Sequence, residues 1–349
     1  MSNRHLPLRR VLTCLLAGAV LMPMVTTTYQ NPPSAAAATK VVAEMGYRGE
    51  TVKSIQRAVG AAVDGVYGPK TAAAVKAWQK SHGLRATGVV DTVTWAKMKP
   101  PVQLVGNDVS WPQCPKGMGI PSRPTEGKKM PKSSTKFLII GLTNGPGFYP
   151  NPCLASQVAW AKRHHVYTAP YAFTTYPTSS QLKKYGKKGP YTGSSTTVKL
   201  KNAGYAEAQF NVANMRRAGL SAPFIWVDVE YSRSPAKWSS SRTQNKAVLD
   251  GVFAGYKAAG LKVGVYTSED PWRKLIGKAR YNVPEWRTVG PASQKKAMQK
   301  CSVRSVQGGK IVLAQWWVDD SKTDNSTDYN VLCRGYSSAA NLKRFFTQY

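Results

Sequence analysis

Between residues 106 and 317, short apolar runs alternate with amphipathic helical stretches, and that alternation leaves few folds open. Strand-like runs fall at 106–110, 137–143, 166–173, 224–230, 262–267 and 311–317, and helical stretches at 155–165, 203–218 and 243–259. Ala206, Phe210, Val212 and Met215 give the second helix an apolar stripe; Val248, Val252, Phe253 and Tyr256 do so in the third. Strand–helix alternation over roughly 250 residues indicates a parallel sheet, for which a barrel is the main single-domain solution. The polar, Lys/Gly/Ser-rich segment 178–198 is expected to be a long surface insertion.

One of these runs carries chemistry. In Pro223-Phe-Ile-Trp-Val-Asp228-Val-Glu230 two carboxylates spaced i and i+2 sit among apolar residues. Side chains two apart on a strand share a face. Burial and like charge both oppose ionisation of such a pair. Glycoside hydrolysis uses that arrangement, with one carboxyl kept protonated as the acid. The plainer alternative is a strand that ends at the surface with both acids solvated. Only thirteen acids lie beyond residue 101, so their placement matters. Asp108 closes the first run, in Gly106-Asn-Asp-Val-Ser-Trp111, and Asp328 follows the last, in Thr327-Asp-Tyr-Asn330. Barrel enzymes assemble their sites from the C-terminal ends of several strands, so three such stretches can make one composite site.

The N-terminus has a basic stretch (Arg4, Arg9, Arg10), an apolar run over 11–25, and then Asn31-Pro-Pro-Ser-Ala-Ala-Ala-Ala38. This is the pattern of a secretory signal peptide, residues 1–38, and its apolar run is too short to favour a transmembrane helix. A secreted, soluble protein without a transmembrane anchor is expected. Cys14 leaves with the signal; Cys114, Cys153, Cys301 and Cys333 remain, none in Cys-x-x-Cys spacing, beside His82, His164 and His165. That composition argues against zinc, and no metal or cofactor is expected. An even cysteine count in an exported chain indicates two disulfides, with three possible pairings. Cys114–Cys153 and Cys301–Cys333 are favoured because each closes a local loop.

The formal charge is +32, and removal of the three leading arginines leaves +29. A charge of that size means association with polyanions. For an exported chain these are anionic cell-wall polymers or phospholipid headgroups rather than nucleic acid, a reading motivated by charge alone.

Residues 41–100 stand apart, closed by Pro100-Pro101. Asp64-Gly-Val-Tyr-Gly-Pro-Lys-Thr71 is echoed 23 residues later by Thr87-Gly-Val-Val-Asp-Thr-Val-Thr94, each a glycine turn leading to a helix. With Gly49-Glu-x-Val-x-x-Ile-Gln and Ala-Val-x-Ala-Trp-Gln, this unit resembles the peptidoglycan-binding domain 1 family. The resemblance implies a three-helix module that holds a secreted enzyme on peptidoglycan through a shallow groove, involving Asp64, Tyr67 and Trp78. The alternative is that Tyr67 and Trp78 are core residues, and helical spacing from Ala74 and Val75 favours core for Trp78.

The larger part, 101–349, resembles the N-acetylmuramidases of glycoside hydrolase family 25. The matching pieces are Asp108-Val-Ser-Trp, Phe137-Leu-Ile-Ile-Gly, Tyr171-Ala-Phe, Trp226-Val-Asp-Val-Glu, Val265-Tyr-Thr, Leu313-Ala-Gln-Trp and Asp328-Tyr-Asn. The resemblance implies an α/β fold, an irregular (β/α) TIM-like barrel. It also implies cleavage of the β-1,4 bond from N-acetylmuramic acid to N-acetylglucosamine. Glu230 would then be the general acid, Asp228 the neighbouring carboxylate that assists the reaction or orients the acetamido group, and Asp108 and Asp328 stabilisers of the cationic transition state. Tyr171, Tyr266, Gln315 and Trp316 would line the cleft. Two departures stand out. Gly141-Leu-Thr-Asn144 lacks the lysine-to-glutamate pair usual after the second strand, and Tyr171-Ala-Phe173 lacks a histidine.

Other hydrolases fit less well. Family 18 chitinases need Asp-x-Asp-x-Glu, and Trp226 stands at the first Asp. No nucleophile elbow accompanies His164-His165, and Gly141–Gly145 does not continue into a lysine-bearing helix. The competing reading is a non-catalytic wall-binding protein on a lysozyme-like barrel. A monomer is expected, since a tethered hydrolase has no evident need to oligomerise.

Overall fold

The computed structural model describes residues 39–98, 103–231, 237–318 and 328–349. The expected signal at 1–38 and the Pro100-Pro101 break lie outside them. The chain divides into two compact units between Lys99 and Pro100.

In the first unit, helices α1 (Glu50–Val59), α2 (Pro69–Ser81) and α3 (Thr92–Met98) pack around Val52, Ile55, Tyr67, Val75 and Val90. Strands β1 (Val41–Ala43) and β2 (Val90–Asp91) pair antiparallel beside them. The 23-residue repeat has a physical cause. Gln56 is buried, accepts from the Gly65 amide at 2.9 Å, and donates to Asp64 Oδ1, the Val66 carbonyl and Thr71 Oγ1. Gln79 repeats this, accepting from Gly88 at 2.9 Å and donating to Thr87 Oγ1, the Val89 carbonyl and Thr94 Oγ1. Each turn is thus tied to the preceding helix by one buried amide whose polar atoms are satisfied. Gly65 and Gly88, both at φ 76°, supply the left-handed backbone that presents their amides.

The second unit is a closed eight-stranded barrel. Its strands are β3 (Val105–Val109), β6 (Phe137–Gly141), β7 (Tyr167–Phe173), β8 (Phe224–Asp228), β9 (Lys262–Thr267), β10 (Glu285–Pro291), β11 (Ile311–Trp317) and β12 (Asp328–Leu332). A hairpin, β4 (Gly119–Ile120) and β5 (Arg123–Pro124), stands between β3 and β6. Barrel strands run parallel in chain order from β3 to β11; β12 closes the ring antiparallel to both β11 and β3. Helices α4 (Leu154–Arg163), α5 (Ser179–Tyr185), α6 (Thr196–Arg217), α7 (Arg242–Ala258), α8 (Glu269–Leu275) and α9 (Gln294–Lys300) lie between successive strands, and α10 (Ala339–Phe345) follows the last.

The barrel interior is aromatic: Phe137, Phe224, Trp226, Tyr266 and Trp286 cluster with Leu342, Phe345 and Phe346 from α10 and its end. Phe137 and Phe224 open their strands, so α10 covers the barrel's N-terminal end. Helices α6 and α7 cross backbone to backbone. A Cβ at Gly204 would fall 2.1 Å from the Val248 carbonyl oxygen, and one at Gly251 would fall 2.0 Å from that of Lys201.

Two strands differ from the sequence reading. β10 was not anticipated because Glu285 and Arg287 interrupt its apolar character. Both are buried, paired at 3.1 Å, on the face opposite Trp286, and Glu285 also accepts from the Val306 and Gln307 amides. β12 is short and begins with a charged residue. The segment 178–198 is also more ordered in pattern than an irregular insertion. Thr178 and Gln181 form a capping box for α5, and α6 begins at Thr196, where the Ser195 hydroxyl accepts from the Val198 amide. Lys199 and Lys201 hide that first turn from an apolar-stripe reading.

Candidate active site

Four carboxylates gather at the C-terminal end of the parallel strands. Asp108 comes from β3 and lies directly across from Asp328, the first residue of β12. Asp228 is the last residue of β8, in register with Tyr266 of β9 and Phe173 of β7. The sequence reading ran this strand to Glu230, and that is corrected: β8 stops at Asp228. Beyond it the Val229 amide donates to the Tyr266 carbonyl, Thr267 Oγ1 donates to the Val229 carbonyl, and Trp238 Nε1 donates to the Glu230 carbonyl. Glu230 is therefore placed by a braced turn, not by strand alternation.

Gln315 of β11 organises the floor. Its amide nitrogen donates to Asp108 Oδ1 at 2.9 Å and to Asp328 Oδ2 at 3.3 Å, while its oxygen accepts from the Tyr266 hydroxyl at 2.6 Å. Asn330 adds a 2.6 Å bond to Asp108 Oδ1. Burial pushes all four acids up. Asp108 reaches about 6, held back by the bonds from Gln315 and Asn330. Glu230 rises to about 7 through burial and the charge of Asp108. Asp228 is driven well above its usual range by burial, then by Glu230 and Asp108, and its Oδ1 has no hydrogen-bond partner among the described residues. Asp328 is raised by burial and Asp108, with Lys128 pulling it partly back.

Asp228 and Glu230 open into a cleft of about 640 Å³ whose walls include Trp111, Arg123, Tyr171, Phe173 and Tyr231. Asp108, Tyr266 and Gln315 lie beneath as a buried floor. Trp316 does not join them, contrary to the expectation. Alternate residues on a strand face opposite ways, so with Gln315 inward Trp316 packs outward on Tyr329 and Ala297. Tyr67, expected to bind ligand in the first unit, is fully buried with its hydroxyl donating to the Gly88 carbonyl, which makes it a core residue. Trp78 is half-buried and stacks on His82. Asp64 is exposed, and its Oδ1 accepts from the Val66 amide within the turn. Asn330 was within a quoted motif but had no assigned role. Trp286, edge-on to Tyr171 at 5.9 Å, went unnoticed with its strand. Arg123 carried no signal, because nothing in sequence placed its hairpin at the cleft.

The cysteines pair as Cys114–Cys153 and Cys301–Cys333. Among the described residues no group of three His, Cys, Asp or Glu side chains is arranged to hold a metal ion.

Comparison with known proteins follows the same division. Residues 48–98 match the family of peptidoglycan binding domains, and residues 194–296, which contain Asp228 and Glu230, match the family described as Lysozyme-like protein 1. "Probable GH family 25 lysozyme 2" of Dictyostelium discoideum is 35% identical over 75 residues, covering 22% of this chain and 32% of that one. "Lysozyme-like protein 1" of Caenorhabditis elegans is 30% identical over 74 residues, covering 21% of this chain and 24% of the relative. The chain thus spans about a third or less of the length of these two curated relatives. Among solved structures, a family GH25 lysozyme from Aspergillus fumigatus superposes with a TM-score of 0.45 at 14% identity, covering 70% of this chain and 99% of that one. A lysozyme from Streptomyces coelicolor gives 0.43 at 16%, covering 69% and 96%. The chain carries a glycoside hydrolase family 25 lysozyme-like domain preceded by a peptidoglycan-binding module.

Proposed function

We propose that this protein is a secreted muramidase that hydrolyses the β-1,4 bond between N-acetylmuramic acid and N-acetylglucosamine in peptidoglycan. In this reading residues 1–38 are the export signal, 41–100 anchor the enzyme on its polymer, and 101–349 form the catalytic barrel. The observation that most supports it is the Asp228/Glu230 pair, desolvated together at the base of an aromatic-walled cleft, with Glu230 raised to about 7. A carboxyl with that value is still largely protonated just below neutral pH and can donate to the leaving oxygen. Asp228, with an oxygen lacking a partner in the described structure, assists at the sugar carbon or orients the acetamido group. Asp108, bonded by Gln315 and Asn330, supplies negative charge for the oxocarbenium-like state from the floor, with Asp328 beside it. Tyr171 gives a sugar ring an aromatic face. The excess of basic over acidic residues draws the enzyme to anionic wall polymers.

The test is mass spectrometry of fragments released from purified peptidoglycan by the wild-type chain and by Glu230→Gln. Muramic acid at the new reducing ends, absent from the variant digest, is the expected result. Release by both proteins removes Glu230 from its role. No release by either, with the polymer still bound, turns the reading to a wall-binding protein.

A further inference from the structure

The hairpin β4–β5 occupies the connection from β3 to β6 and forms one wall of the cleft. Its base is tied down by the Cys114–Cys153 bond and by the Gly127 amide donating to the Cys114 carbonyl. Its two strands are held from the barrel side by Asn144, the fully buried last residue of the uncharged Gly141-Leu-Thr-Asn144 stretch. Asn144 Oδ1 accepts from the Ile120 amide at 2.8 Å and Nδ2 donates to the Arg123 carbonyl at 3.2 Å. The Arg123 side chain then lies along the backbone of Gly145, where an added Cβ would fall 2.3 Å from Arg123 Cδ. Gly145 also has φ 81°, a conformation side chains disfavour. A disulfide, a buried amide and a bare glycine therefore converge on the position of one guanidinium.

That guanidinium shares the cleft with Asp228 and Glu230. Arg123 is not among the groups that shift either acid, so it stands away from them along the cleft. Glu126, on the same wall, is matched by Lys128 at 2.8 Å. Neutral sugars are held by aromatic faces and hydrogen bonds and have no need of a fixed cation. A planar guanidinium, permanently charged, matches a carboxylate with two parallel hydrogen bonds.

We propose that Arg123 selects an acidic sugar, its guanidinium receiving the carboxylate that one residue of the glycan carries beside the bond to be cut. The proposal rests on the glycosidase reading above and adds to it the residue that distinguishes the acidic sugar from its neutral neighbour. Asn144 acts through Arg123 as a positioning residue.

The test uses the full chain and soluble muramic-acid-containing oligosaccharides, with carboxylates either free or amidated, and follows hydrolysis kinetics. Wild type is expected to favour the free acid by roughly tenfold or more in kcat/KM, expressed mainly in KM, the range of one charged hydrogen-bonded pair. Arg123→Gln should bring that ratio close to one and Arg123→Lys should restore part of it. Asn144→Ala should lower the ratio through KM as well. A preference unchanged in Arg123→Gln overturns the proposal, as does equal cleavage of both substrates by wild type, which leaves the glycosidase reading standing. Cleavage of neither substrate by wild type overturns both together.

Discussion

Glu207 and Glu230 are both buried glutamates held towards their protonated forms, and their surroundings separate their roles. Glu230 opens on the cleft; Glu207, on α6, faces the backbone of Gly147 and is raised by burial to about 8, with Oε1 unpartnered among the described residues. For both, the folded value lies above the unfolded one. Their stabilising effect is therefore complete at pH below about 4.5 and is lost as pH climbs to about 7 for Glu230 and about 8 for Glu207. Glu207→Gln should raise the melting temperature at pH 8 and change it little at pH 4.5, measured by thermal unfolding at the two values. An equal effect at both would show that Glu207 ionises freely. Asp228→Asn, which removes a buried charge from the cluster, should likewise stabilise above pH 6 while abolishing hydrolysis, the trade expected where a site holds desolvated like charges. The same values set the activity profile. Hydrolysis should fall as pH rises through about 7, where Glu230 gives up its proton. A rate still climbing at pH 8 would point to a different acid.

At the scale of elements, the two glutamine-pinned turns make a comparison between equals. Gln56→Leu and Gln79→Leu each leave a glycine amide and threonine hydroxyl unpaired in a packed site, at a cost of about 2–3 kcal/mol on unfolding. Similar losses from chemical denaturation would confirm that the repeat is one of hydrogen bonding; loss at only one would mean that the second copy is carried by packing. Gly251→Ala, which sets a methyl against the Lys201 carbonyl, should cost about 1–3 kcal/mol by forcing α6 from α7. What was legible in the sequence follows from the same physics. Runs such as Phe137–Gly141 are apolar because both faces are buried, so the strand is visible without its neighbours. β10 is invisible because Glu285 and Arg287 neutralise each other only in the folded chain. Asp108, Asp228 and Asp328 could be found because strand ends are short in sequence and specific in composition. The hairpin's place at the cleft could not be, since it depends on Asn144 reaching across from another connection.

For the molecule as a whole, charge and closure are the governing features. With 49 basic and 17 acidic residues, adsorption to an anionic wall should weaken steeply with salt. Hydrolysis of a short uncharged oligosaccharide should change little over the same range. Sedimentation of the chain with purified walls, with and without their phosphate polymers, measures the first arm; parallel loss in both arms would mean that charge acts inside the cleft instead. Closure carries a different consequence. The barrel's first strand, β3, finds one of its two neighbours only in β12, some 220 positions further along the chain. Until that last strand arrives, β3 and β11 each present an open edge of unpaired amides and carbonyls, a template for another chain. A ribosome or an export channel therefore releases no partial barrel that can be safely stored. A chain cut before Asp328 should aggregate, not settle into a seven-stranded domain.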